Sequence, residues 1–343
     1  MGRLSLAGTA APTEFRGERR VPLEHVPRTL CGVKPLTRLA LVGAPLAIAA
    51  SIIFGGGSDV LVSDAPAEGQ DLTADRPAYQ PKQREPRTDQ EKREHKELDE
   101  RIAKMPPGLA APEMKEIASQ IVASAENSTL NWRGQYGSIE DIGDGCGYTA
   151  GVIGFCSGTN DMLQLVEGYT KDHPDNPLAG YLPALREVDG TASHEGLDPG
   201  FRAAWAKAAE SPAFRKAQDE TRDRIYFEPA VRIAKMDGLG TLGQFIYYDA
   251  MVLHGPGIDP KGFYGIREAA MKSAKTVAEG GKEQAYLNAF LDAGRAVMKV
   301  KKAHKDTSRI DTAQRVFLRS GNLDLKTPLV WQMYGETFRI PAS

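Results

Sequence analysis

The sequence predicts a mainly α domain behind a nonglobular leader, on three observations. Five segments, residues 199–211, 212–238, 241–255, 265–280 and 283–304, repeat their apolar residues at three- and four-residue spacing, the mark of amphipathic helices. No alternating strand of useful length lies between them. Ahead of residue 113 the chain is polar apart from one uncharged run, so the packed core belongs to the remainder. Of 343 residues, 41% are hydrophobic and 26% charged, enough for one sizeable domain or two small ones. From residue 113 onward acids outnumber bases 30 to 27, which argues against nucleic acid as a partner.

In chain order, the first element is an address. Arg16, Arg19, Arg20, Arg28, Lys34 and Arg38 precede the uncharged run Leu39–Phe54, and Asp59, Asp64 and Glu68 follow it. That run is 16 residues long; a full membrane span wants about twenty, so a signal-peptide core fits better. The charge bias keeps the N-terminus cytoplasmic and sends the rest across. Ala65–Ala67 supplies a small-x-small cleavage site. Residues 1–67 are therefore expected to be a signal peptide or an uncleaved anchor, with the protein secreted or held outside by this segment, its only expected membrane contact.

Residues 68–112 are dominated by charge, Gln and Pro and read as a linker. A short charged helix is expected over Asp89–Lys104, stopped by Pro106, Pro107 and Gly108. The domain proper, residues 113–343, opens on a helix in which Met114, Ile117, Ala118, Ile121, Val122 and Ala125 form one apolar stripe. Glu126 sits in its last turn at the edge of that stripe. Partial burial and the negative end of the helix dipole both disfavour an ionised carboxylate there, which suits a general acid.

The stretch IEDIGDGCGYT, Ile139–Thr149, is built differently. Gly143, Gly145 and Gly147 permit positive φ and close backbone approach, so the segment is expected to be a tight loop or irregular hairpin that projects Asp144. Calcium does not fit: Asp141 and Asp144 lack the spacing of an EF-hand loop. Neither a metal nor any other cofactor is expected. Cys31, Cys146 and Cys156 make no disulfide framework and have no metal-ligand spacing, though they leave room for one bridge, Cys146 to Cys156. A carboxylate on a glycine loop opposite another at a helix end is the layout of a glycosidase.

The run from Ser124 through Leu163, with SAENS, DIGDG, GYT and TNDML, closely resembles the opening of the glycoside hydrolase family 46 chitosanases. The resemblance continues through Tyr226–Gly257 and Asp306–Leu325 to Trp331 and Tyr334. It implies a mostly α, two-lobed, lysozyme-like fold with a central cleft and a small sheet near the glycine loop. It implies a secreted, endo-acting, inverting enzyme on chitosan, with Glu126 as general acid, Asp144 as general base and Thr149 holding the attacking water. Inversion leaves room for that water, so the carboxyl groups are expected roughly 6.5 to 9.5 Å apart or more. Asp161 matches an acidic subsite residue for a glucosamine ammonium, and Asp249 and Arg309 match a charged network behind the acid. His254 has two readings, a cleft residue or one satisfying local backbone groups. Glu140 and Asp141 would draw in a polycation, or serve as capping and loop acceptors. Trp132, Trp205 and Trp331 read as core residues rather than sugar platforms. A monomer is expected.

Three positions depart from that resemblance. Cys146 and Gly294 stand where the family commonly has Arg, and Lys301 stands where relatives carry an acid. A missing arginine would leave Glu126 and Asp249 underpaired unless Arg295 replaces it, and Cys146 beside the base would expose a thiol to oxidation or alkylation. Two rivals follow: a noncatalytic glycan-binding protein, and hydrolysis of chitin or peptidoglycan. Retention of Glu126, Asp144 and Thr149 together weighs against the first. The acidic candidates weigh against the second, since N-acetylated sugars carry no charge.

Overall fold

A computed structural model describes residues 88–143, 145–300 and 306–342. The apolar run Leu39–Phe54, Cys31, the linker before Thr88, Asp144 and Lys301 lie outside the described residues.

The charged helix α1, Asp89–Lys104, forms where expected. The Thr88 hydroxyl accepts from the Glu91 amide at 3.1 Å and the Glu91 carboxylate accepts from the Thr88 amide at 2.8 Å, a reciprocal cap on two orphan donors. No residue of α1 is buried. Full burial begins just after it. Leu109 is fully buried and donates its amide to Gln244 Oε1 at 2.9 Å, ahead of the expected boundary at residue 113.

Helix α2, Pro112–Asn127, begins with proline, whose missing N–H costs nothing in a first turn. It buries Ile117, Ala118, Ile121, Val122 and Ala125 of the stripe read from the sequence, with Met114 partly buried. Ser128 ends it in the left-handed conformation. The chain then enters an antiparallel sheet of three short strands, β1 Ile139–Asp141, β2 Tyr148–Ala150 and β3 Phe155–Cys156, with Glu140 opposite Thr149 and Thr149 opposite Cys156. Helices α3 (Asp161–Asp172), α4 (Leu182–Val188), α5 (Phe201–Ala208) and α6 (Pro212–Arg222) complete the lobe around it.

The longest helical segment expected, residues 212–238, is interrupted. A π-helical turn at Asp223–Phe227 joins α6 to α7, Glu228–Met236, immediately before Pro229, where a kink was expected from the missing donor. Helix α8, Thr241–His254, is buried on nearly every side, and α9 (Phe263–Ser273) and α10 (Glu283–Val300) pack around it as the second lobe. A second π-helical turn, Arg309–Gln314, leads into α11, Arg315–Arg319.

The chain closes with a hairpin that the periodicity reading passed over. Strands β4 (Leu329–Met333) and β5 (Glu336–Ile340) pair across Tyr334 and Gly335, both at positive φ (52° and 85°), as a two-residue hairpin turn demands. Leu329, Trp331 and Met333 point inward and Val330 and Gln332 outward. Trp331 donates its indole N–H to Ser124 Oγ at 3.0 Å, fastening the hairpin to α2. Trp132, Trp205 and Trp331 are all buried, as their apolar neighbours predict.

Candidate active site

Glu126 projects from the last turn of α2, its side chain 17% exposed. Arg309 Nη1 donates to Glu126 Oε1 at 2.6 Å, while Arg309 Nε and Nη2 donate to the two oxygens of Asp249, each at 2.8 Å. Arg309 and Asp249 are almost wholly sealed from solvent. Burial pushes the Asp249 carboxyl up, with the Arg309 charge opposing it. Burial alone would loosen the Arg309 proton, but Asp249 and Glu126 hold it more firmly than in water. One cation thus serves two carboxyls.

The underpairing expected from Gly294 is not found at Asp249. Gln314 Nε2 supplies a third donor to Asp249 Oδ2. In an ordinary α-helix residues 309 and 314 would point about 140° apart. The wider π-helical turn brings both to Asp249, and a reading at α spacing misses Gln314 for that reason. Arg295 does not substitute for an arginine at 294. Lying one position further round α10, it donates through Nε to the Asp311 carboxylate at 2.9 and 2.7 Å, outside the Glu126 cluster. His254 is buried at the end of α8, and a Cβ on Gly294 would lie 3.8 Å from its Nε2.

Thr149 lies on β2, 3% exposed, and its Oγ1 has no hydrogen-bond partner among the described residues. Glu140, half-buried, pairs with it across the sheet. Asp141 is exposed: Oδ1 accepts from the Gly143 amide at 2.8 Å and Oδ2 lies 3.5 Å from His194 Nε2. The His194 ring stacks on Tyr148 at 3.9 Å. Asp144 belongs to the segment between β1 and β2.

Asp161, the first residue of α3, is 4% exposed and already heavily used. Oδ1 accepts from the amides of Cys156 (3.0 Å) and Met162 (2.9 Å) and from Thr159 Oγ1 (2.9 Å), and Oδ2 accepts from the Tyr226 hydroxyl at 2.9 Å. Burial pushes its carboxyl up to about 6 in spite of those donors. Tyr226, which sequence reasoning did not single out, is pushed up by burial and feels both Asp161 and Glu126. It lies in the π-helical turn, where α spacing gives no guide to its direction.

Cys146 and Cys156 form a disulfide, with Cα atoms 6.1 Å apart. The expected reactive thiol at Cys146 is therefore absent from the bridged protein. Among the described residues no cluster of His, Cys, Asp or Glu is arranged to hold a metal ion.

The sequence profile described as Glycosyl hydrolase family 46 matches residues 120–329. The chain belongs to that family. A chitosanase from Streptomyces sp. (strain N174) is 60% identical over 233 residues, 68% of this chain and 84% of the relative. Among solved structures, a co-crystal structure of chitosanase OU01 with substrate has a TM-score of 0.68 at 53% identity, covering 69% of this chain and 100% of that one. A complex of the Gynuella sunshinyii family 46 chitosanase with chitotetraose has a TM-score of 0.63 at 33% identity, covering 67% and 98%. The fold is the mainly α, two-lobed, lysozyme-like one expected, and the protein is a glycoside hydrolase.

Proposed function

We propose that this family 46 enzyme is a chitosanase that cuts β-1,4 bonds between glucosamine residues within the chain, with inversion. The observation that carries the proposal is the Glu126–Arg309–Asp249 cluster, in which a carboxyl at a helix end is oriented through one oxygen by a buried guanidinium. Glu126 hands its proton to the departing glycosidic oxygen, and Asp144, on the glycine turn, takes a proton from the attacking water. Thr149, whose buried hydroxyl has no protein partner among the described residues, holds that water.

Chitosan is a polycation below the glucosamine pKa, so carboxylates at Glu140, Asp141 and Asp161 raise its local concentration, an effect that salt weakens. With four donors on it, Asp161 acts on an ammonium mainly through its charge, from behind the cleft surface, and His254 backs the cleft from the end of α8. The protein acts as an exported monomer, in keeping with a disulfide, a bond that persists in oxidising compartments.

The test is release of reducing ends from low-acetylation chitosan beside chitin and peptidoglycan. Glu126→Gln should abolish turnover while chitosan binding stays measurable. Asp144→Asn should do likewise and be partly restored by a small external nucleophile. Substantial turnover by the Gln variant would remove Glu126 from the role of acid.

A further inference from the structure

The turn that carries Asp144 is made of the residues least able to hold a shape. Gly143, Gly145 and Gly147 sit at φ of +72°, +87° and +77°, and each has more unfolded conformations to lose than any other residue type. Its rigidity must therefore come from what it is tied to. Upstream the tie is soft, an exposed Asp141 accepting from the Gly143 amide. Downstream it is covalent. Cys146, 2% exposed, is bonded to Cys156, and its carbonyl accepts from the Gly158 amide at 3.0 Å. Cys156 pairs with Thr149 across the sheet and donates its amide to buried Asp161. The bridge thus leads from the glycine turn to the strand rung of Thr149 and to the start of α3. Asp144 is two residues from the anchored Cys146, a reach of at most about 7 Å.

We infer that the Cys146–Cys156 bridge is a positioning device for the base-bearing turn, and that it makes turnover by this enzyme redox-dependent. The inference rests on the chitosanase reading above. Reduction by a dithiol breaks the S–S bond: two electrons and two protons pass to Cys146 and Cys156 as thiols, and the reductant closes to its own disulfide. The turn is then held at its downstream end by hydrogen bonds alone, those of the strand backbone and of the Tyr148 amide to Ser157 Oγ, and the base loses alignment with the water while the sugar contacts of the rest of the cleft persist.

The full chain is assayed on chitosan before reduction, after reduction verified by titration of two new thiols, and after reoxidation. Hydrogen exchange of amides 143–149 is followed alongside that of α8. The expected result is a loss of about ten- to a hundred-fold in kcat, the scale of a misplaced reacting group, with KM changed less than about two-fold and recovery on reoxidation. Exchange should quicken in the turn while α8 stays protected. Cys146→Ser should resemble the reduced protein and ignore the reductant. Unchanged kcat and unchanged exchange in the turn after verified reduction would overturn the inference, as would loss of protection throughout α8. No turnover before reduction would instead count against the chitosanase reading, and exchange in the turn would still decide the role of the bridge.

Discussion

Replacing Asp161 by Asn should make the domain progressively more stable than the parent chain as pH rises. The Asp161 carboxyl is pushed up to about 6 from 3.8 because burial outweighs the four hydrogen bonds it accepts. Below the lower value folded and unfolded chains both carry the proton, and the stabilisation from keeping it buried is fully present. Above it the unfolded chain releases its proton first, so that stabilisation declines and is lost as pH passes through the folded value. The displacement from 3.8 to about 6 is worth about 3 kcal/mol. Asn is a near-isostere of the protonated acid and does not titrate. Its Oδ1 can keep the amides of Cys156 and Met162 and the Thr159 hydroxyl, and its amide can donate to the Tyr226 oxygen. Urea unfolding of both proteins from about pH 3.5 to about pH 7.5 should therefore show the variant gaining about 3 kcal/mol on its parent, most of it between about pH 4 and about pH 6. A difference that stays constant across that range would refute burial as the dominant influence. One that moves in the opposite direction would mean that the four donors stabilise the carboxylate more than burial disfavours it.

Asp249→Asn strips the buried Arg309 of its bidentate partner and should cost about 3 to 5 kcal/mol by urea midpoint, whereas exchanging both residues for apolar ones of similar volume should cost less than the single change. Thr149→Val removes a hydroxyl with no protein partner among the described residues, so the thermal midpoint should hold while kcat on chitosan falls by about a hundred-fold; an unchanged kcat would free Thr149 from any part in holding water. At Gly294 an added Cβ would meet Ile310, His254 and Ile266 at 3.7 to 3.9 Å, ordinary contact distances, so Gly294→Ala should stabilise α10 by up to about 1 kcal/mol, read from the same denaturation curves.

Where apolar residues recur at helical spacing, helices form, although the one expected over 265–280 spans only Phe263–Ser273. The stripe of α2, the run of α8 and the charged α1 with its proline stop all form within a few residues of their expected ends. The terminal hairpin was legible in principle, through the alternation of Leu329, Trp331 and Met333 and the Tyr334-Gly335 pair, but its strands are short and follow a long helical reading. The two π-helical turns were not legible, because five-residue closure leaves no periodic mark in sequence. They carry Tyr226, Arg309 and Gln314. Arg309 was found only through resemblance, and the other two were missed. The fate of the position lost at Gly294 also needed the fold: that Arg295 turns to Asp311 depends on where the second π-helical turn lies.

Order of synthesis adds a consequence. Glu126 leaves the ribosome early, but the guanidinium that orients it comes 183 residues later and the tryptophan that fastens its helix comes 207 residues after Ser124. Contacts so distant along the chain close late and slowly. A nascent chain stopped anywhere between residues 144 and 309 would contain both carboxylates assigned to the chemistry and still lack the guanidinium that orients Glu126. On the proposed assignment, competence waits for the residues from 309 onward, so a partly made enzyme cannot cut polysaccharide before the domain has closed around its site.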